Sequence, residues 1–82
     1  MQNELDIKLA LNAFNIITKY GDKRDVNYHY QGLQAWSDFD GYTLQIANNK
    51  VTLTIYFHNK YHFDYDSDEE LDKFMKKLIR LK

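Results

Sequence analysis

Between Val26 and Tyr65 apolar and polar residues alternate, and turn-forming pairs interrupt the alternation at the intervals an antiparallel meander needs. This period of two predicts strands at 26–31, 33–39, 42–47, 50–57 and 61–65. Each hairpin register then follows from the rule that paired apolar side chains share a face. A turn at Gln31-Gly32 aligns Tyr30 with Leu33 and Tyr28 with Ala35. One at Asp40-Gly41 aligns Phe39 with Tyr42 and Ala35 with Ile46, with Ser37 intruding on the apolar face. At Asn48-Asn49, where Asn tolerates positive φ, Ala47 meets Lys50, so Ile46, Leu44 and Tyr42 face Val51, Leu53 and Ile55. In the last hairpin a two-residue loop at Asn59-Lys60 would throw the faces out of phase. A three-residue loop, His58-Asn59-Lys60, pairs Phe57 with Tyr61 and Ile55 with Phe63.

On either side of this stretch the period changes to 3.6. A helix is expected over 4–20, capped by Asn3, with Asp6 in its first turn and Gly21 in a left-handed terminating position. Leu5, Leu9, Ala13, Ile16, Ile17 and Tyr20 form one face, and Ile7, Leu11 and Phe14 widen it beyond a single contact. The helix should therefore lie on the sheet and also touch the second helix; a subunit interface is the alternative. Ser67-Asp68-Glu69-Glu70 is a capping box that opens a second helix over 68–81, with Leu71, Phe74, Met75 and Leu78 as its core stripe.

The fold expected is α+β in the order α-β-β-β-β-β-α: an antiparallel meander sheet with two helices packed on one face, all in one domain, 1–82. The covered face should carry Val26, Tyr28, Tyr30, Leu33, Phe39, Tyr42, Leu44, Ile46, Val51, Leu53, Ile55, Phe57, Tyr61, Phe63 and Tyr65. The open face should carry Asn27, His29, Gln34, Trp36, Asp38, Thr43, Gln45, Thr52, Thr54, Tyr56, His62 and Asp64. A core of this size is small, so dimerisation would be physically useful.

Composition narrows the chemistry. No Cys excludes a disulfide framework, thiolate metal sites and a Cys nucleophile. No apolar run spans a membrane, and Met1-Gln2-Asn3-Glu4 lacks the start of a signal peptide, so the expected location is the cytoplasm. A formal charge of −1 argues against a partner defined by phosphates. The basic run Lys73, Lys76, Lys77, Arg80 and Lys82 follows the acids Asp68, Glu69, Glu70 and Asp72, an order that complements the helix dipole.

On the open face Trp36 is the leading binding candidate, since interfaces are enriched in Trp. Packing beneath the chain that enters the sheet, or a slipped first hairpin that makes it core, are the structural alternatives. Trp36 and Tyr56 fall about 16 Å apart in the expected register, too far to stack one run of bases. Nucleic acid is disfavoured as a partner for that reason and because no basic residue interleaves with them. His62 and Asp64 could act as an acid/base pair, but with Thr54 opposite Asp64 no activated nucleophile stands nearby. Asp38 and Asp64 lie about 14 Å apart, beyond a glycosidase pair. His58, His62 and Asp64 are a metal-like cluster without a matching motif, so neither a metal nor another cofactor is expected.

The segments Asp38-Phe39-Asp40-Gly41-Tyr42-Thr43, Val51-Thr52-Leu53 and Phe57-His58-Asn59-Lys60-Tyr61-His62-Phe63-Asp64-Tyr65 resemble a small bacterial family of uncharacterised single-domain proteins. The resemblance implies a free-standing bacterial protein and brings no activity, cofactor or site residue with it. The leading expectation is a small cytoplasmic protein-interaction or regulatory module, homodimeric in one version, with Trp36, Tyr56, His62 and Asp64 as its binding residues and a protein as its partner. An enzyme or ligand-binding domain built on His62 and Asp64 ranks second.

Overall fold

The computed structural model describes residues 7–38, 41–56 and 60–81. Among these, helix α1 spans Ile7–Tyr20 and is followed by strands β1 Asp22–Arg24, β2 Asn27–Tyr30, β3 Leu33–Ser37, β4 Leu44–Ala47, β5 Val51–Tyr56 and β6 Lys60–Tyr65, and then by helix α2, Asp68–Arg80. The strands form one six-stranded antiparallel sheet whose spatial order is the chain order. The architecture is the expected α+β meander with two helices, carrying one strand more than the alternation predicts.

That extra strand is β1. Asp22, Lys23 and Arg24 are all exposed, so the strand has no core-facing residue to mark it in the sequence, and only pairing with Asn27, Tyr28 and His29 defines it. The turn into β2 places Asp25 at φ 58° and leaves Val26 69% exposed, which removes Val26 from the expected core. At the next turn Gln31 and Gly32 both have positive φ, 50° and 81°, the type I′ geometry that matches strand twist. The Tyr30–Leu33 and Tyr28–Ala35 pairing is as expected.

Ala35 also meets Ile46 as expected, but the β3–β4 ladder closes at Ser37 and Leu44. Beyond it Asp38 N donates to Thr43 O and Gly41 N to Asp38 O, so Tyr42 stands in the connection, 63% exposed, instead of in the core. Phe39 and Asp40 lie outside the described residues.

The last two hairpins are each displaced by two positions. Ile46 faces Leu53 and Leu44 faces Ile55, because the turn sits between Asn48 and Val51. The Asn48 carboxamide oxygen accepts from the amides of Lys50 and Val51, both at 2.8 Å, so Asn48 sets this turn through its side chain and not through positive φ. Likewise Tyr61 faces Ile55 and Phe63 faces Leu53. The expected loop placement of His58 lies outside the described residues, as does Phe57. A displacement by an even number keeps every side chain on its face, which is why the predicted core survives the slip.

The helices cover the apolar face: α1 lies on β2, β3 and β4, α2 lies on β5 and β6, and the two touch each other. These contacts take up most of the wide apolar arc of α1, with Ile7, Phe14 and Ile16 packed against the core and Leu11 left 38% exposed. Ala10, Ala13 and Ile17 reach the core, while Tyr20 at the end of the helix is 58% exposed. Asn3, Leu5 and Asp6 lie outside the described residues. Leu33, Ile46, Leu53, Phe74 and Leu78 are the buried centre, and Phe63 meets the Phe74 ring edge-on at 6.4 Å. At the sheet margin Tyr65, expected in the core, is 40% exposed.

Ser67 caps α2 as predicted, its hydroxyl accepting from the Glu70 amide at 3.2 Å. Ser67→Ala should cost about 1 kcal/mol and lower the melting temperature by roughly 4–8 °C, measurable by thermal denaturation; an unchanged midpoint would show that the cap does not hold α2.

Candidate functional site

Since both helices occupy one face, the opposite face of the sheet is left open, and the observed register orders it in rows. Trp36, Gln45, Thr54 and His62 make one row across β3 to β6. Asp22, His29, Gln34, Ala47, Thr52 and Asp64 make the next, across all six strands. Trp36 sits in this face opposite Gln45, half-buried, and the Ala35–Ile46 pairing rules out a slipped hairpin with Trp36 in the core. Amide side chains frame it: Asn27 Nδ2 donates to Gln34 Oε1 at 3.1 Å, and Gln45 Nε2 donates to Asp38 Oδ1 at 3.4 Å.

The displaced β5 register changes the spacing of the candidates. Tyr56 stands two strands and one row from Trp36, about 12 Å away instead of about 16 Å, which is still too far for the rings to share one base. His62 now faces Thr54, and Asp64 faces Thr52, correcting the expected Thr54–Asp64 pairing. The Thr54 hydroxyl therefore stands across from His62, which is exposed on β6. Asp38 and Asp64 separate to about 20 Å, three strands and two rows, further from a carboxylate pair than expected. No group of three His, Cys, Asp or Glu side chains that could hold a metal occurs among the described residues; His58 is outside them.

Charge is distributed unevenly over the open face. Its centre, formed by Asn27, His29, Gln34, Trp36, Thr43, Gln45, Ala47, Thr52 and Thr54, carries no carboxylate, ammonium or guanidinium group. Its margins carry Asp22 and Arg24 on β1, Lys60 and Asp64 on β6, and Asp38 beyond the end of β3. Ala47 at the centre is 6% exposed, covered by the longer side chains around it. Alternation in the sequence assigned these residues to one face; the uncharged centre emerges only when β1 takes one margin.

Among the described residues two clefts lie beside the β2–β3 turn, one of them reaching onto the open face at His29 and Gln34. One of about 410 Å³ is lined by Gln31, Lys73, Lys76, Lys77 and Arg80, where the end of α2 approaches the β2–β3 turn. Lys73 and Lys76 there pair with Glu69 and Asp72 one turn back, at 3.7 and 3.3 Å. The other, about 360 Å³, runs along the same turn past Arg24, His29 and Asn49. Neither includes Trp36, Tyr56, His62 or Asp64. Among the described residues no helix is long and apolar enough to cross a membrane.

These features define a two-layer α+β domain with one helix-covered and one open sheet face. The chain belongs to the family described as protein of unknown function DUF3081, whose model matches residues 5–82. No curated protein and no solved structure matches it.

Proposed function

We propose that this chain is a protein-interaction module of the bacterial cytoplasm that docks a protein partner on its open sheet face. Trp36 is the anchor, with Tyr56, His62 and Asp64 at the rim, and no cofactor takes part. The observation that supports this reading is the uncharged centre framed by charged margins, because interface cores are depleted of charge and their rims are polar. A half-buried Trp held between hydrogen-bonded amides buries large area at little further cost in side-chain entropy.

Trp36 is the only Trp, so its fluorescence reports directly on this surface. The full chain, used to capture partners from its native host, should retain a protein that Trp36→Ala loses. With the purified pair, Trp36 emission should shift to the blue, and the substitution should weaken binding by about 2 kcal/mol or more, roughly thirtyfold. Equal affinity of a folded Trp36→Ala chain would refute the open-face reading.

A further inference from the structure

We propose that β6 is a dimerisation edge. The chain pairs β6 antiparallel with β6 of a second copy, Phe63 opposite the partner's Phe63 at the two-fold axis, and the six-stranded sheet becomes continuous across both copies.

The two sheet edges are built differently. β1 is three residues long, exposed throughout and made of Asp22, Lys23 and Arg24, the short charged form that discourages pairing. β6 is six residues long, contains neither Gly nor Pro, and carries Tyr61, Phe63 and Tyr65 on its helix side. Backbone parity shows which groups β6 offers. Asn48 N donates to Val51 O, so Val51, Leu53 and Ile55 turn their amides and carbonyls toward β4, while Thr52, Thr54 and Tyr56 turn theirs toward β6. Lys60, His62 and Asp64 answer them, so the backbone groups of the alternate residues, with Phe63 at their centre, are directed at the outer edge of the sheet.

A second β6 meets those groups when Phe63 faces the partner's Phe63 and Tyr61 faces the partner's Tyr65. On the open face the same register sets His62 opposite the partner's Asp64 and brings Lys60 toward the partner's Asp66, in the bend just past β6, and symmetry doubles each pair. Every one joins a cation or an imidazole N–H to a carboxylate. Within the chain His62 and Asp64 face only Thr54 and Thr52, so this complementarity has no counterpart across β5. Of the two neighbouring registers, the one with His62 opposite the partner's His62 retains only the Lys60–Asp64 pair and its symmetry mate, and the one with Phe63 opposite the partner's Tyr65 sets Asp64 against the partner's Asp64.

The helix layer fits the same axis. Lys77 reaches the β2–β3 turn, its Nζ 2.9 Å from where a Cβ on Gly32 would stand, so that flank of α2 points across the sheet away from β6. Ile79 lies about 160° round the helix from Lys77 at 100° per residue, and that flank, 60% exposed at Ile79, faces the β6 margin. With α2 over β5 and β6, the two α2 axes straddle the two-fold about 10 Å apart at ordinary strand spacing, the separation of packed helices. Ile79 and Tyr65 are thereby covered.

Light scattering coupled to size exclusion on the full chain should give twice the chain mass of 9.9 kDa. His62→Asp and Asp64→Lys, each exposed and each placing like charges or two donors across the axis, should return the mass to that of one chain. The double variant His62→Asp with Asp64→Lys exchanges the partners and should restore the dimer, with circular dichroism unchanged throughout. A monomeric parent chain, or single variants that stay dimeric, would overturn the proposal, as would a double variant that stays monomeric. Trp36→Ala tests the open-face reading separately and should leave the mass unchanged; if it alone produced monomers, the second copy would belong on the open face and not on β6.

Discussion

Phe74→Ala is expected to bring this domain close to unfolding. The ring is fully buried at the centre of the core and packs edge-on against Phe63 at 6.4 Å, beneath the strands that carry the open face. Truncating a buried Phe costs about 3–5 kcal/mol in lost transfer energy and residual cavity. Net stability at about 0.05–0.15 kcal/mol per residue is only about 4–12 kcal/mol for a chain of this length. A fall in melting temperature of about 12 °C or more follows, at roughly 4–8 °C per kcal/mol. Thermal and urea denaturation would check this, and a fall of less than about 5 °C would mean that the site collapses around the cavity or that Phe74 is not central. Loss of order at β6 should accompany the change, because Phe63 loses the ring it packs against.

Gly21→Ala should be the most damaging of the glycine substitutions, although Gly21 is not in the left-handed region. A Cβ there would stand 2.5 Å from the Ile17 carbonyl oxygen and 2.7 Å from that of His29, and both are backbone atoms that cannot swing aside. Gly21 is where the last turn of α1, closed by Gly21 N donating to Ile17 O at 2.8 Å, crosses against β2. Relieving the contact separates helix from sheet, at a cost of about 1–3 kcal/mol or more. Gly41 is the control: its φ of 78° makes Ala strained, but nothing lies within 4 Å of the added methyl. Gly41→Ala should therefore cost only about 1–2 kcal/mol. The reverse order in a denaturation series would show that the close approach at Gly21 relaxes and that positive φ at Gly41 is the costlier demand.

Gly21 illustrates how far local rules reach. Its place after the last periodic residue of α1 correctly marks the helix end, but only part of the physical demand on it is local: beside the Ile17 carbonyl of its own helix stands that of His29, eight positions away and across a turn. The Asn48-Asn49 pair likewise signals a turn, and the turn is there. Its position moved because the Asn48 carboxamide captures two amides, a side-chain bond that residue preferences do not order against alternative closures. The alternation places Trp36 on the open face, as the structure does, since its hairpin closes on Gln31-Gly32 with positive φ at both positions. β1 stayed hidden because Asp22, Lys23 and Arg24 have no buried side and so leave no period.

From the sequence alone come the alternation that separates core from open face, the end of α1 and the start of α2, and the face on which Trp36, Tyr56, His62 and Asp64 stand. These depend on side-chain period and local capping, which one strand or one turn can express by itself. Tertiary structure decided which residues stand opposite one another: His62 against Thr54, Tyr56 one row from Trp36, and β1 as the charged margin that isolates an uncharged centre. Faces are insensitive to a register shift of two, whereas cross-strand neighbours change completely. The energy that selects between such registers lies in pairing and packing between distant segments, and no single segment contains it.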